Sequence, residues 1–184
     1  MRLVTACLIS ALAVTLSPQP ATFTLQSPAF THNQPFPLAH TGYGGFTSPA
    51  LTWTGLPKGT RELALVCTDP DVPLEQFGVH WLLYNIPATA KGLPEGSKPA
   101  DLKAGHPSPL TGASQGINAM KRPGYLPPRP FVGSGVHHYT FTLYALDADL
   151  PLAEGLTKEQ LLAALKGHIL GEATLVGTFE RKEK

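Results

Sequence analysis

Cysteine and charged residues are scarce in this chain. Its 184 residues include two cysteines, Cys7 and Cys67, and only 15% of the residues are charged. A structural disulfide is therefore not expected, and Cys67, which lies in an apolar run, is interpreted as a small core residue. The 14 Lys and Arg residues nearly balance the 13 Asp and Glu residues, so the net charge is +1. Since nucleic-acid binding needs a basic surface, this balance argues against a nucleic-acid partner.

The chain also lacks an apolar run of the length that a membrane span needs. Its first apolar run covers residues 3–16, which is shorter than the roughly 18 residues expected of a spanning helix. One arginine precedes the run and a Pro-rich break follows it, so we interpret residues 1–21 as a signal peptide. The mature chain, without a transmembrane segment, is then expected to be periplasmic or secreted. The alternative is that residues 3–16 form a buried first strand or helix.

Glycine and proline, in contrast, are abundant. There are 18 glycines and 19 prolines, and yet hydrophobic residues make up 42% of the chain. This combination argues against disorder and is typical of short strands joined by many turns. The length corresponds to one domain of ordinary size, which we assign to residues 22–184.

Alternation of apolar and polar residues predicts a series of strands. They are expected at residues 22–26, 51–54, 62–68, 80–86, 136–146 and 173–181. The strand at 80–86 is apolar on both faces, which indicates a central strand that is covered on each side.

One helix is predicted near the C-terminal end. Thr157-Lys-Glu-Gln160 has the pattern of a capping box. It is followed at helical spacing by Leu161, Leu162, Leu165 and Ile169. Gly171 is the expected end of the helix. The fold is therefore predicted to be mainly β, an antiparallel β-sandwich with a C-terminal helix.

Two aspartates, separated by Pro70 and followed by Pro73, stand in the stretch CTDPDVPLEQFGVHW (residues 67–81). In an extended chain Asp69 and Asp71 would point the same way, and they would repel unless a positive or proton-donating group lay between them. The alternative is a turn that ends a strand, in which both carboxylates cap backbone N–H groups.

Two histidines each begin a predicted strand. Alternation puts His137 on the apolar face of its strand together with Tyr139, and it puts His138 on the opposite face. Taken singly, His80 and His137 are each interpreted more simply as core residues with a satisfied hydrogen bond. Together with the two aspartates they would form a near-neutral cluster. Its imidazoles could donate to phosphate oxygens, and a carboxylate could accept from an ammonium group or a protonated oxygen.

Five motifs follow one another in a specific order. They are SPALTW (48–53), DPDVP (69–73), HWLLYNIP (80–87), GVHHYTFTLYALD (135–147) and GTFER (177–181). This order resembles the phosphatidylethanolamine-binding protein family, in its bacterial Raf-kinase-inhibitor-like branch. The resemblance extends over residues 23–181 and implies a β-sandwich with a pocket for phosphate-like head groups. It also supports the signal peptide, because residues 1–21 are extra relative to the domain.

The resemblance implies which residues line the ligand-binding pocket. They are Asp69 and Asp71 from DPDVP, His80 from the next strand, His137 and Tyr139 from GVHHY, and Tyr125, Pro127 and Pro130 from a rim loop. That loop, YLPPRPF, departs from the family because it has prolines in place of glycines, and proline offers no N–H to an anion. Lys121 and Arg122 could supply positive charge at the mouth instead, or could form a solvated pair on the loop.

The function implied by the resemblance is non-enzymatic binding, with no catalytic residue, metal or cofactor. The expected ligand is a small phosphorylated molecule or a phospholipid head group, a protein partner is also expected, and the chain is expected to be a monomer or homodimer. One alternative is a hydrolase or metal-binding protein that uses the Asp/His cluster, although the sequence has neither HExxH spacing nor a nucleophile elbow. Another is a kinase or protease inhibitor acting through a protein interface, although an exported protein would not meet cytosolic kinases.

Overall fold

The computed structural model describes residues 22–96 and 108–183. The predicted signal peptide at residues 1–21 lies outside this part of the chain and stays a prediction. The described residues form strands β1 (Thr24–Gln26), β2 (Gln34–Pro35), β3 (Leu51–Thr54), β4 (Glu62–Thr68), β5 (Val79–Pro87), β6 (Gly92–Leu93), β7 (Ser114–Gln115), β8 (Val136–Leu146) and β9 (Ile169–Glu180), and helix α1 (Lys158–Leu165). Short 3-10 helices lie at Leu38–His40 and Glu75–Gly78.

The strands form two sheets that face each other. One has three strands in the order β1-β3-β6, and the other has six in the order β2-β9-β8-β4-β5-β7. The pairings between the strands are antiparallel, except that β2 lies parallel to β9 with Gln34 opposite Gly177. The predicted β-sandwich is therefore confirmed, with one parallel pair at the edge of the larger sheet.

The main core fills the space between the two sheets. The six-stranded sheet contributes buried side chains such as Phe141 and Leu143, and the smaller sheet contributes Leu25 and Trp53. Fully burying each of these side chains stabilises the fold by about 1.5–3 kcal/mol. Cys67 is 1% exposed within this cluster, as expected of a core residue.

Helix α1 covers the outer face of the larger sheet. Its buried Leu161 and Leu165 pack with Ala64 and Val66 of β4 and with residues of β5. As a result β5, which lies between β4 and β7, is buried on both faces along most of its length. The prediction of a central strand covered on each side is confirmed.

The helix begins where it was predicted and ends earlier. Gln160 N donates to Thr157 Oγ1 at 3.3 Å and Thr157 N donates to Gln160 Oε1 at 2.9 Å, which confirms the capping box. The helix stops at Leu165, and Gly167 follows with φ +89°, a left-handed conformation that favours glycine. The prediction that the helix includes Ile169 and ends at Gly171 was wrong. Both residues lie in β9, and β-branched residues such as isoleucine are favoured in strands.

Glu62 is a charged residue in the buried part of the larger sheet. It begins β4, at the opposite end of that strand from Asp69, and is 7% exposed. Its Oε2 accepts a hydrogen bond from Leu150 N at 3.3 Å, whereas Oε1 has no partner in the structure described. Burial raises the pKa of Glu62 from 4.5 to about 7, and nearby Asp149 adds a smaller contribution in the same direction.

Glu62→Gln is expected to change how stability depends on pH. Because the folded pKa lies above the unfolded value, the wild-type chain loses stability as the pH rises from about 4.5 to about 7. Gln keeps an acceptor for Leu150 N but does not ionise, so the variant should gain about 2 kcal/mol over wild type near pH 8 and little near pH 4. Urea unfolding at both pH values measures this difference. An equal change at both values would contradict the prediction, and exposed Glu172→Gln in β9 is the control.

Candidate functional site

Four strands of the larger sheet bring polar residues together at one end of the sandwich. Because these strands are antiparallel, the C-terminal ends of β4 and β9 meet the N-terminal ends of β5 and β8. The register puts Thr68 opposite both Val79 and Thr140. Side chains from distant parts of the sequence are consequently buried at this end, namely Asp69, His80, His137 and Tyr139.

Asp69 and His137 form a buried pair. Oδ2 of Asp69 lies 2.6 Å from Nδ1 of His137, and the two side chains are 2% and 9% exposed. The second oxygen, Oδ1, accepts a hydrogen bond from Asp71 N at 2.9 Å. Asp69 thus caps a backbone N–H at the end of its strand and also pairs with an imidazole, so both interpretations of the DPD motif apply to it.

Ser134 lies at the second ring nitrogen of His137. Its hydroxyl donates to the carbonyl of Phe131 at 2.8 Å, and its oxygen lies 3.1 Å from Nε2 of His137. Nδ1 of His137 faces a carboxyl oxygen of Asp69 and donates to it. The imidazole is therefore held from both sides, by Asp69 at Nδ1 and by Ser134 at Nε2.

Asp71 forms a second pair on the outside of the sheet. Its Oδ2 accepts hydrogen bonds from the backbone N–H of His138 at 2.7 Å and from Nδ1 of His138 at 2.9 Å. The two side chains are 37% and 47% exposed. Hydrogen bonds from His138 outweigh the desolvation of Asp71, so the pKa of Asp71 is lowered. His138 faces away from the core as predicted. Asp71 bonds to it on that outer face, so the prediction that Asp69 and Asp71 point the same way was wrong.

His80 is buried against the rim loop in its neutral form. Its Nδ1 donates to the carbonyl of Leu126 at 2.7 Å, and Leu126 N donates to the carbonyl of His80 at the same distance. Burial lowers the pKa of His80, so the ring stays neutral at pH 7. With its proton on Nδ1, the ring keeps a lone pair on Nε2, which is an acceptor for a ligand proton.

Tyr139 lies between the two histidines. Its ring is 4.9 Å from the His80 ring, edge to face, and 6.4 Å from the His137 ring, nearly parallel. Burial, reinforced by the negative charge of Asp69, raises the pKa of Tyr139 well above its usual value, so the hydroxyl keeps its proton. Within residues 22–96 and 108–183 the hydroxyl makes no hydrogen bond, and it is a donor available to a ligand.

The rim loop is attached to the rest of the protein by backbone contacts. Tyr125 is buried in the core and donates its hydroxyl proton to the carbonyl of His40 at 2.8 Å. Pro127 and Pro130 are buried, and the carbonyl of Pro130 accepts from the hydroxyl of Tyr43 at 2.6 Å. The polar groups of Tyr125 and Pro130 are thus used within the fold, and the part of these three residues in ligand binding stays a prediction.

Lys121 and Arg122 lie in a turn. It is closed by a hydrogen bond in which Asn118 N donates to the carbonyl of Arg122 at 2.9 Å. The turn is held beside the start of β5, where Ala119 N donates to the Val79 carbonyl at 2.8 Å. Lys121 is exposed and has φ +57°, whereas Arg122 is half-buried. A role for their charge at the mouth of the site stays a prediction.

The sequence interpretation missed three residues around the site. Tyr43 stacks on Phe179, which lies opposite His137 in the neighbouring strand, and Arg129 and Arg181 lie over the Tyr43 ring. A signal for Arg181 was present, because alternation in GTFER puts it on the same face as Phe179. Tyr43 and Arg129 come from irregular loops, for which the sequence has no periodic pattern.

Two surface cavities of the described chain lie away from the Asp–His residues. One of about 530 Å³ is lined mainly by residues 23–27, 30–32 and 173–175, and a second of about 360 Å³ includes Gln115 and Glu154. In the same residues, no group of three or more His, Cys, Asp or Glu side chains is arranged to hold a metal ion. At the Asp–His end of the sandwich, Asp69, His80, His137 and Tyr139 are themselves only 1–7% exposed.

Comparison with known proteins gives consistent matches. A family model described as phosphatidylethanolamine-binding protein matches residues 26–180. A UPF0098 protein of Methanothermobacter thermautotrophicus is 41% identical over 157 residues, which are 85% of this chain and 98% of that protein. LppC of Mycobacterium tuberculosis, a putative lipoprotein by name, is 38% identical over 168 residues, which are 91% of this chain and 77% of that protein.

A solved structure has the same fold. The crystal structure of E. coli YbcL, described as a new member of the mammalian PEBP family, superposes with a TM-score of 0.76 at 31% sequence identity. The match covers 88% of this chain and all of that protein.

Proposed function

Since the chain belongs to the phosphatidylethanolamine-binding protein family, we propose that it binds a small ligand carrying a phosphate group at the Asp69–His137 site. Proteins of this family are generally non-catalytic binding proteins. The observation that carries the proposal is the Tyr139 hydroxyl, which keeps its proton, lies beside the His137 ring and makes no hydrogen bond in the described chain.

The donors and acceptors at the site match a phosphate monoester. Tyr139 donates to one phosphate oxygen, and His137, in its doubly protonated form, donates from Nε2 to another once the exposed Ser134 moves aside. Nε2 of His80 accepts a hydrogen bond from the ligand, either from a protonated phosphate oxygen or from an ammonium group. Phosphoethanolamine supplies both kinds of group, and it represents the head group of a phospholipid as well as a free metabolite.

We propose that the protein is not an enzyme. Asp69 is held by both of its oxygens, one on His137 and one on the backbone of Asp71, so it is engaged in structure rather than free to act as a base. Asp71 is engaged by His138 on the outer face. A hydrolase mechanism would need an acid or base that can exchange protons with the substrate.

His137→Ala is expected to weaken binding of phosphoethanolamine by about tenfold or more, because it removes the imidazole that faces the phosphate. Isothermal titration at neutral pH measures the dissociation constant. His138→Ala is the matched control, since it removes the neighbouring imidazole on the outer face and should leave the constant within about twofold. Identical titration curves for wild type and His137→Ala would rule out this site.

Native mass spectrometry of the protein as purified tests the same proposal without a chosen ligand. A retained phosphorylated molecule, lost in His137→Ala, is the expected result. The same spectra measure the oligomeric state, which is expected to be a monomer or a homodimer. A partner protein is also expected in the compartment where the chain resides.

We also propose that the protein is exported. The charged start and apolar run within residues 1–21 have the pattern of a signal peptide, and the similar LppC is named as a lipoprotein. In the described chain no helix is long and apolar enough to cross a membrane. Intact mass measurement of the protein from fractionated cells tests this proposal. A full-length protein confined to the cytoplasm would refute it.

A further inference from the structure

Two arginines meet at one tyrosine beside the Asp–His site. The guanidinium carbon of Arg181 lies 4.4 Å from the centre of the Tyr43 ring, and that of Arg129 lies 5.9 Å from it. Arg181 also donates from its Nη1 to the Tyr43 hydroxyl at 3.0 Å. Both arginines are exposed, whereas Tyr43 is half-buried. The tyrosine therefore holds two cationic groups close together at the surface.

The fold fixes each member of this group. Tyr43 stacks on Phe179 with ring centres 6.0 Å apart, and its hydroxyl donates to the Pro130 carbonyl at 2.6 Å. Arg181 directly follows the last residue of β9. It comes two positions after Phe179, so its side chain lies on the same face as that of Phe179. The stem of Arg129 passes over Gly42, where an added β-carbon would be 3.1 Å from it. The end of β9 thus positions the guanidinium group of Arg181, and the rim loop positions that of Arg129.

No carboxylate balances these two charges in the part of the chain that the structure describes. Neither Arg129 nor Arg181 forms an ion pair there. Glu180, the nearest acid in sequence, lies on the opposite face of β9 and is 3.8 Å from Lys182. The guanidinium carbons can be no more than about 10 Å apart, so they repel each other and together attract an anion.

The arginines lie next to the proposed phosphate site. Phe179 is the cross-strand partner of His137, so their side chains project from the same face about 5 Å apart. Tyr43 is also close enough to Tyr139 to contribute to the raised pKa of that residue. A ligand that occupied the His137 site could therefore reach the arginines with a second group.

We propose that Arg129 and Arg181, held by Tyr43, form a second anion subsite and that the ligand of this protein carries two acidic groups. The phosphate lies at His137 and Tyr139, and a carboxylate or a second phosphate lies at the arginines. Guanidinium groups suit this role because each presents a planar set of donors that matches carboxylate and phosphate oxygens. This inference rests on the proposed phosphate site.

Matched ligand pairs test the second subsite. In the first pair, 3-phosphoglycerate has a carboxylate where glycerol 3-phosphate has a hydroxymethyl group. In the second pair, fructose 1,6-bisphosphate has a second, more distant phosphate that fructose 6-phosphate lacks. In isothermal titration the diacid of at least one pair should bind about tenfold tighter than its monoacid. The pair that shows the preference reports the spacing between the two subsites.

Arg181→Gln and Arg129→Gln should each reduce this preference at least threefold and leave the monoacid affinity nearly unchanged. Lys182→Gln, which removes the same charge from the opposite face, should keep the preference and so controls for long-range attraction. Arginine is exposed at both positions, and a thermal melt of each variant checks its folding. A preference that is absent in both pairs, or that survives both arginine substitutions, overturns the second subsite. Loss of all phosphate binding in the wild type would instead refute the proposed function itself.

Discussion

Asp69→Ala is expected to lower the free energy of unfolding by about 3–4 kcal/mol. The substitution leaves Nδ1–H of the buried His137 without its carboxylate partner, and breaking a buried pair from one side is strongly destabilising. It also removes the acceptor of Asp71 N, so a backbone donor at the end of β4 loses its hydrogen bond. Urea unfolding at neutral pH measures the change, and phosphoethanolamine binding should be lost in the same variant.

The outer pair supplies the control for this experiment. Asp71→Ala removes a carboxylate from the same loop, but the Asp71–His138 pair is exposed, so the expected cost is below about 1 kcal/mol. A double-mutant cycle of Asp69→Ala with His137→Ala should show a coupling energy of at least about 1.5 kcal/mol. Equal costs for the two aspartates, or additive effects in the cycle, would contradict a stabilising buried pair between Asp69 and His137.

Gly78→Ala is expected to cost about 3 kcal/mol. A β-carbon at Gly78 would lie 2.2 Å from the carbonyl oxygen of Asp69 and 3.0 Å from a methyl group of Val72. The neighbouring atom is backbone, and Gly78 also accepts the hydrogen bond of Asp69 N at 2.8 Å, so the clash has no flexible side chain to relieve it. Because Gly78 lies between Asp69 and His80, the substitution should also displace the site.

Gly112→Ala is the control that measures the cost of a left-handed backbone conformation without a steric clash. Gly112 has φ +87° and no atom within 4 Å of an added β-carbon, so alanine there meets only the left-handed penalty of about 1 kcal/mol. Chemical denaturation of both variants, with phosphoethanolamine titration, makes the comparison. If Gly78→Ala costs no more than Gly112→Ala and binds normally, the close packing of Asp69 on Gly78 does not hold the site in place.

The sequence predicted the strands well because their pattern is local. Alternation gave the bounds of β3 and β8 as the structure has them, since each has one buried face. The strand β4 is buried on both faces, and its bounds followed from the turn signals on either side of it. The same alternation correctly separated His137 from His138. Once strand directions are antiparallel, residues at strand ends such as Asp69 and His80 must meet, and their convergence was accessible from the sequence.

Interactions that depend on one particular side-chain partner could not be predicted from the sequence. Asp71 turns outward because His138 offers two donors, and no periodicity distinguishes this arrangement from one with both aspartates inside. The end of the helix was wrong because leucine and isoleucine spacing continues past Gly167, and only the left-handed backbone there breaks it. The contact of Tyr43 with Arg181 joins residues 138 positions apart and has no signature in either segment.

The single described thiol gives the fold a chemical consequence. Cys67 is 1% exposed, and burial raises its pKa well above the usual range, with Asp69 contributing in the same direction. The thiolate is the species that reacts with oxidants and disulfides, so the folded protein is expected to resist oxidation in an oxidising compartment. Labelling by a thiol reagent then requires that the sandwich open. The rate at which Cys67 is modified therefore reports directly on the opening of the core beside the site.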